Sequence, residues 1–121
     1  MLRSLFFSLA VLGSASVWAG TACPQHFVAG QAPVVTNPKF QPRTQELCFR
    51  AFAVLHSGLS RTPLYAAEHL TQKNMKNAAK LSRKDSFHAE DALPERDRAE
   101  LSDYERSGYD RGHMAPNADF A

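Results

Sequence analysis

The sequence predicts an α+β fold, and the main observation is a pair of neighbouring strand-like segments. Residues 49–56 alternate apolar with other side chains, as expected of a half-buried strand, and residues 64–70 repeat that pattern. The segment between them, 57–63, is rich in turn-forming residues, so an antiparallel pair is the expected result. Helix-compatible segments follow, and a chain of 121 residues forms one domain at most.

Two helices are expected after the strand pair. Residues 71–81 have a helix-compatible composition, and Thr71 is a plausible N-cap. The second helix is predicted over 95–104, because Pro94 suits a first turn and early acidic residues favour the helix dipole. A Ser-Gly pair then ends this helix, and residues 109–113 are expected to form a further strand.

The histidines of these segments are interpreted as structural residues. His56 and His69 lie within the predicted strands, where a hydrogen-bonded histidine is commoner than a ligand. His88 lies between the predicted helices and is expected to be exposed.

Residues 1–19 have the pattern of a secretory signal peptide. Arg3 supplies the positive charge, residues 5–17 form an apolar core, and the segment ends in a small-residue cleavage site. The apolar run is short for a membrane span. We therefore expect an exported protein, periplasmic or secreted, whose mature chain begins at Gly20. The alternative is a lipoprotein acylated at Cys23, but residues 20–22 match poorly the sequence pattern that precedes an acylated cysteine.

The two cysteines are expected to form a disulfide. Cys23 and Cys48 both lie in the part predicted to be exported, and an oxidising compartment favours a bond between them. Such a bond closes a loop of about 26 residues and stabilises the fold by roughly 3 to 4 kcal/mol in the chain-entropy account. Residues 31–42 contain three prolines and little periodicity, so 20–48 is expected to be an extended N-terminal segment. Structural zinc takes four ligands, which disfavours a metal role for this pair.

The charge balance excludes little. The chain has 14 Lys and Arg against 12 Asp and Glu, whereas a nucleic-acid-binding domain is usually strongly basic. The charges are nevertheless segregated, because residues 73–84 carry basic residues and no acidic ones, while acidic residues dominate 85–105. The basic stretch is equally compatible with a polyanion-binding face and with a solvated surface.

The segment with the most chemistry is 109–117, which reads Tyr-Asp-Arg-Gly-His-Met-Ala-Pro-Asn. The guanidinium of Arg111 can bind a phosphate through two hydrogen bonds, which lysine cannot copy. His113 is of the residue type that titrates near neutral pH and can act as a general base. Gly112 between them lets the backbone approach a ligand closely. A phosphate-binding group beside a proton acceptor is what phosphodiester hydrolysis requires.

The string Asp-Arg-Gly-His followed by Met-Ala-Pro resembles the signature of the DNA/RNA non-specific endonuclease family, the ββα-metal or His-Me finger nucleases. The resemblance extends upstream through Ser107 and Gly108 and more loosely to Phe49, so it covers residues 49–121. It implies an α+β, ββα-metal fold in which a central antiparallel sheet supports the active site.

The resemblance also implies roles for single residues. His113 is the general base that activates the attacking water, and Arg111 binds the phosphate. Arg83 corresponds to a second phosphate-binding or transition-state-stabilising arginine, although an ordinary surface arginine remains the alternative. Asp110 orients the signature and contributes to substrate binding.

The implied activity is sequence-non-specific hydrolysis of phosphodiester bonds in DNA, RNA or both. The resemblance implies one divalent cation as Lewis acid, Mg²⁺ or else Mn²⁺. The asparagine that binds the metal in the family lies well beyond the signature and beyond residue 121. Asn117, with Asp119 beside it, is the candidate metal ligand in this sequence, although neither matches the family position. The chain is also shorter than the family's catalytic domain, so we expect a C-terminally truncated version of the fold.

Two other classes of function stay open. The chain could be a non-catalytic nucleic-acid-binding remnant whose basic residues give salt-sensitive affinity. It could also be an exported interaction or inhibitor domain in which residues 110–113 form a structural turn.

Overall fold

An antiparallel sheet of three strands forms the centre of the fold. The structure is a computed structural model that describes residues 20–82, 87–116 and 119, so the predicted signal peptide lies outside the described residues. The strands are Thr44–Cys48 (β1), Phe52–Ser57 (β2) and Thr62–Glu68 (β3), in the order β1-β2-β3. The α-helix Gln72–Ala78 (α1) follows the sheet. This arrangement confirms the α+β class with a central antiparallel sheet.

Short 3-10 turns supply the other regular structure in the described part of the chain. They lie at Pro24–His26, Val28–Gly30, Pro38–Phe40, Glu95–Asp97 and Leu101–Asp103. No helix in these ranges is long and apolar enough to cross a membrane.

The predicted strand pair is present, with bounds shifted by a few residues. β2 pairs antiparallel with β3, and a bulge between Leu55 and His56 leaves Leu64 without a counterpart on β2. Pro63 lies beside the bulge and has no N–H to donate to the ladder. An edge strand tolerates this, and β3 is an edge strand of the sheet that the described residues form.

β1 is an additional strand that the sequence pattern did not predict. It pairs antiparallel with β2, from Thr44 opposite Ser57 to Cys48 opposite Ala53. Leu47 is its buried residue, and the other positions are exposed or half-buried. A strand with so little apolar alternation has no period-two signal, so its conformation depends on pairing with β2.

The N-terminal segment lies against the face of β1 that carries its even-numbered side chains. The predicted disulfide is present, and it joins Cys23 to Cys48 with 5.8 Å between their Cα atoms. Two residues away on β1, a carboxylate oxygen of Glu46 accepts a hydrogen bond of 2.6 Å from the hydroxyl of Thr21. Because side chains two apart on a strand share a face, both links hold the same side of the sheet.

The opposite face packs against the segment around Leu93. The buried side chains of Leu47, Val54 and Leu93 form one hydrophobic cluster. The Nε2 atom of His56 is 2.7 Å from the backbone oxygen of Asp97, so it donates to that carbonyl. His56 is therefore a buried, hydrogen-bonded structural histidine, as predicted.

The prediction of α1 is confirmed at its start. The hydroxyl of Thr71 accepts a hydrogen bond of 3.2 Å from the amide of Asn74, which is the N-cap interaction. The helix ends at Ala78, before the predicted end. The predicted place of His69 within a strand is wrong, since it lies one residue beyond β3 and is exposed.

The prediction of one helix over 95–104 is wrong. Two separate 3-10 turns occupy this segment, and the backbone of Arg98 between them is extended, with φ −98° and ψ 154°. A continuous helix would need the carbonyl oxygens of Asp97 and Arg98 for its own ladder. These oxygens instead accept hydrogen bonds from the side chains of His56 and Arg61. Contacts to the sheet thus override the local preference for helix.

Candidate active site

The signature segment lies on the surface and does not form the predicted strand. Residues 109–113 are exposed and belong to no ladder among the described residues. The preceding turn is closed by Ser107, whose hydroxyl donates to the carbonyl of Tyr104 at 2.8 Å and accepts from the amide of Tyr109 at 3.1 Å. Gly108 has a φ of +82°, which favours glycine. This turn leads into the exposed signature segment.

Phe87 brings the two main signature residues together. The Cζ atom of Arg111 lies 4.6 Å from the centroid of the Phe87 ring, a cation–π distance. The imidazole of His113 meets the same ring edge-on, with 5.0 Å between the ring centroids and 63° between the planes. The expected phosphate-binding arginine and the expected general base therefore contact one aromatic ring.

The sequence analysis gave Phe87 no role. The available signal was a single aromatic residue within a polar stretch. Such a residue has no neighbours in sequence that would bury it, so a contact elsewhere in the chain was to be expected. The identity of that contact depends on the tertiary fold.

A groove of about 580 Å³ lies beside these residues. Apolar side chains of β1 and β2 contribute one part of its lining, including Leu47 and Val54. Arg111, Gly112 and His113 contribute another part. Arg111 and His113 therefore border the same open groove.

The other arginines that line the groove are paired with acids. Arg98 donates to Glu100 at 2.6 Å and to Asp91 at 3.1 Å. The hydrogen bond to Glu100 raises the pKa of Arg98 above its ordinary value, and burial acts against this shift. Arg61 donates to Asp103 at 2.8 Å. These two guanidinium groups have structural roles and are less available to a ligand.

Arg111 differs from them, because no carboxylate of the described residues lies within ion-pair distance of its guanidinium. Among the described residues, its exposed side chain makes a cation–π contact with the ring face of Phe87. With respect to the described residues, its hydrogen-bond donors are therefore available to an anion, and a guanidinium can bind a phosphate through two hydrogen bonds.

The remaining predicted site residues fall into two groups. Asp110 is described and exposed, and its predicted role in orienting the signature stays a prediction. Arg83 and Asn117 lie outside the described residues, so their predicted roles in phosphate and metal binding stay predictions too.

The described residues do not supply a complete metal site at the signature. Their one group of three potential ligands is Cys23, Glu46 and Cys48, and its two sulfurs are bonded to each other. Elsewhere, burial raises the pKa of Glu68, and the nearby charge of Asp119 adds to the shift. Two carboxylates alone do not define the octahedral oxygen site that Mg²⁺ prefers.

Comparison with known proteins gives the same family as the signature. The sequence profile of the DNA/RNA non-specific endonuclease family matches residues 31–121. The chain belongs to this family.

Three curated relatives are nucleases from fungi. The chain is 44% identical over 69 residues to the mitochondrial nuclease of Saccharomyces cerevisiae, and the matched region covers 56% of this chain and 21% of the relative. It is 43% identical over 60 residues to nuclease 1, mitochondrial, of Schizosaccharomyces pombe, covering 50% and 19%. It is 45% identical over 56 residues to a nuclease of Syncephalastrum racemosum, covering 46% and 18%. The matches span about a fifth of the length of these relatives. No solved structure matches the chain significantly.

Proposed function

We propose that this protein is an exported nuclease that hydrolyses phosphodiester bonds of DNA, RNA or both without sequence preference. The observation that carries the proposal is that Arg111 and His113 both contact Phe87. These two residues belong to the signature of a nuclease family that the chain matches. The shared ring holds an anion-binding group and a proton acceptor beside one groove.

In this proposal His113 acts as the general base. It removes a proton from a water molecule, and the water oxygen forms a bond to phosphorus as the bond to the O3′ leaving group breaks. The leaving oxygen takes a proton from solvent. His113 is exposed, so it can exchange the proton it receives with solvent between turnovers.

Arg111 binds the scissile phosphate. It donates two hydrogen bonds to non-bridging oxygens, whose negative charge grows as the transition state forms. Arg83 is proposed as a second arginine on the same phosphate, and Asp110 as the residue that orients the signature. Contacts to phosphate carry no sequence information directly, which is the physical basis for cleavage without sequence preference.

A divalent cation belongs to the proposal because the family is metal-dependent. Mg²⁺, or Mn²⁺ in its place, would supply Lewis-acid stabilisation of phosphate and leaving-group oxygens. Asn117 is the residue of this chain that we propose would hold it.

Export is proposed from the signal-like segment 1–19 and is supported by the disulfide. A bond between Cys23 and Cys48 persists in oxidising compartments such as the periplasm or the extracellular medium. A nuclease at either place would meet foreign or released nucleic acid.

The test is degradation of plasmid DNA and of single-stranded RNA by the purified, oxidised protein, with Mg²⁺ and with EDTA. We expect cleavage that requires Mg²⁺ and that falls at least about 100-fold in His113→Ala, since a general base typically contributes that much or more. Arg106→Ala is the matched control, because Arg106 has a side chain that is 91% exposed and pairs only with Glu105 in the described structure.

Two outcomes would contradict this proposal in different ways. Cleavage that persists unchanged in His113→Ala removes the base assignment. Salt-sensitive binding of nucleic acid without any cleavage, in Mg²⁺ as in EDTA, identifies a non-catalytic binding protein instead.

A further inference from the structure

A second pocket, which has a polar lining and a volume of about 300 Å³, lies beside the N-terminal end of β2. The side chains that line it include Gln25, Arg50, His69 and Asn74, and no acidic residue lines it. All four of these side chains are exposed and carry N–H donors. A pocket that presents several donors and no carboxylate is suited to an anion.

The pairing of the arginines marks Arg50 as unusual. Most of the described arginines form ion pairs with carboxylates within 4.0 Å: Arg43, Arg61, Arg96, Arg98 and Arg106. Among the described arginines, Arg50 and Arg111 have no such partner. Arg111 is the arginine that the signature assigns to phosphate, and Arg50 has the same availability to an anion in a different pocket.

The backbone that carries Arg50 is held in place by its neighbours. The amide of Phe49 donates to the carbonyl of Phe52 at 2.9 Å, which closes the turn that contains Arg50. The carbonyl of Phe49 is 2.9 Å from Nε2 of the buried His26. The rings of Phe49 and Phe52 also stack, with centroids 4.6 Å apart. These contacts thus fix the backbone position of Arg50.

The surrounding charge favours an anion as well. α1, which contributes Asn74 to the pocket, carries Lys73 and Lys76 and no acidic residue. Glu46, four positions before Arg50, accepts hydrogen bonds from Thr21 and Ala22, and neither Glu46 nor Glu68 lines the pocket.

The pocket adjoins the groove of the signature. Ala51 lines both cavities, so the two are adjacent at this residue. We propose that the Arg50 pocket is a second phosphate-binding subsite, which holds the sugar-phosphate backbone of the nucleic acid away from the scissile bond. The identity of the ligand as a nucleic acid rests on the proposed function, whereas affinity of the pocket for phosphate does not.

The first experiment measures binding of a fluorescein-labelled single-stranded oligonucleotide in EDTA over a series of salt concentrations. We expect Arg50→Ala to raise the Kd about 3- to 10-fold for any sequence and to reduce the slope of log K against log salt by about 0.7 to 1, as loss of one phosphate contact does. Arg50→Lys should restore most of the salt slope, because it restores the charge. Arg106→Ala should leave both quantities unchanged, and circular dichroism should show that every variant is folded.

The second experiment titrates the ¹⁵N-labelled protein with inorganic phosphate at constant ionic strength. The subsite is supported if phosphate shifts the backbone amide signals of Arg50 and Asn74 in the wild type. In Arg50→Ala, the signals of residue 50 and Asn74 should then not shift. No shift at these residues, or an unchanged Kd and salt slope in Arg50→Ala, overturns it. If the wild-type protein binds no oligonucleotide, both the proposed function and nucleic acid as the ligand of the pocket are refuted. The phosphate titration then still shows whether the pocket binds phosphate.

Discussion

The guanidinium carbon of Arg111 lies 4.6 Å from the ring centroid of Phe87, and the same ring contacts His113. The contact matters because both signature residues are exposed and on a segment without strand or helix. An exposed loop side chain has several accessible rotamers, and each rotamer lost on substrate binding costs free energy. Packing against Phe87 reduces that cost before the substrate arrives.

Phe87 is therefore predicted to be a positioning residue for both side chains. Phe87→Leu removes a cation–π contact of about 0.5 to 1 kcal/mol and loosens His113, so we expect cleavage to fall about 3- to 10-fold, mainly in kcat. Phe87→Tyr keeps the ring and should retain most activity. Ring-current shifts of the His113 imidazole protons, measured by NMR, should persist in Phe87→Tyr and vanish in Phe87→Leu. Equal kcat in Phe87→Leu and the wild type would show that the ring has no positioning role.

Local sequence patterns predicted those parts of the fold that local interactions determine. The N-cap at Thr71 depends on a residue three positions away, and its hydrogen bond is present. The antiparallel β2–β3 pair follows from two alternating segments joined by a short turn, and it is present too.

The failures have a common physical cause in contacts between distant parts of the chain. β1 has little apolar alternation, and its pairing with β2 gives it strand conformation. Residues 95–104 have helical preference, but His56 and Arg61 of the sheet region take the carbonyl oxygens that a helix would use. The role of Phe87 depends on residues more than twenty positions away. None of these partners can be read from a window of neighbouring residues.

Asp97 predicts a specific loss of stability in acid. A side-chain hydrogen bond from Arg43 lowers the pKa of Asp97, burial opposes this shift, and the charges of Arg43 and Arg96 add to it. Because the pKa is lower in the folded state, the unfolded chain binds the proton more readily. The stabilisation is fully present above the unfolded pKa of about 4 and is lost as pH falls through the folded value.

Urea denaturation at several pH values measures this loss. We expect the free energy of unfolding of the wild type to fall more steeply below about pH 4 than that of Asp97→Asn, which has no carboxyl group to protonate. Asp91→Asn is the matched control, since the side chain of Asp91 is 92% exposed. Parallel pH profiles for the wild type and Asp97→Asn would contradict the assignment.

Gly58 is predicted to be the glycine at which an added methyl group is most costly. A Cβ atom there would lie 2.6 Å from the Cγ atom of Asp97, and Arg43 holds that carboxylate in place. The amide of Gly58 also donates to the carbonyl of Arg43 at 2.8 Å, so the backbone cannot move away freely. We expect Gly58→Ala to lower the free energy of unfolding by about 1 to 3 kcal/mol. Gly20→Ala, where no atom lies within 4 Å of the added methyl group, should have almost no effect in the same urea titration.

The disulfide is predicted to be the largest single contribution to stability among these features. Cys23 and Cys48 are separated by 25 positions, and closing a loop of this length stabilises the folded state by about 3 to 4 kcal/mol in the chain-entropy account. The described hydrophobic cluster is small, with three buried side chains, so the fold has little stability to spare when the bond is lost. We expect reduction by dithiothreitol, or replacement of both cysteines by serine, to lower the urea midpoint strongly and to the same extent. A serine variant as stable as the oxidised protein would contradict this prediction. The N-terminal segment would then be held by its other contacts. In that case Glu46→Ala, which removes the hydrogen bond from Thr21, would be the destabilising change.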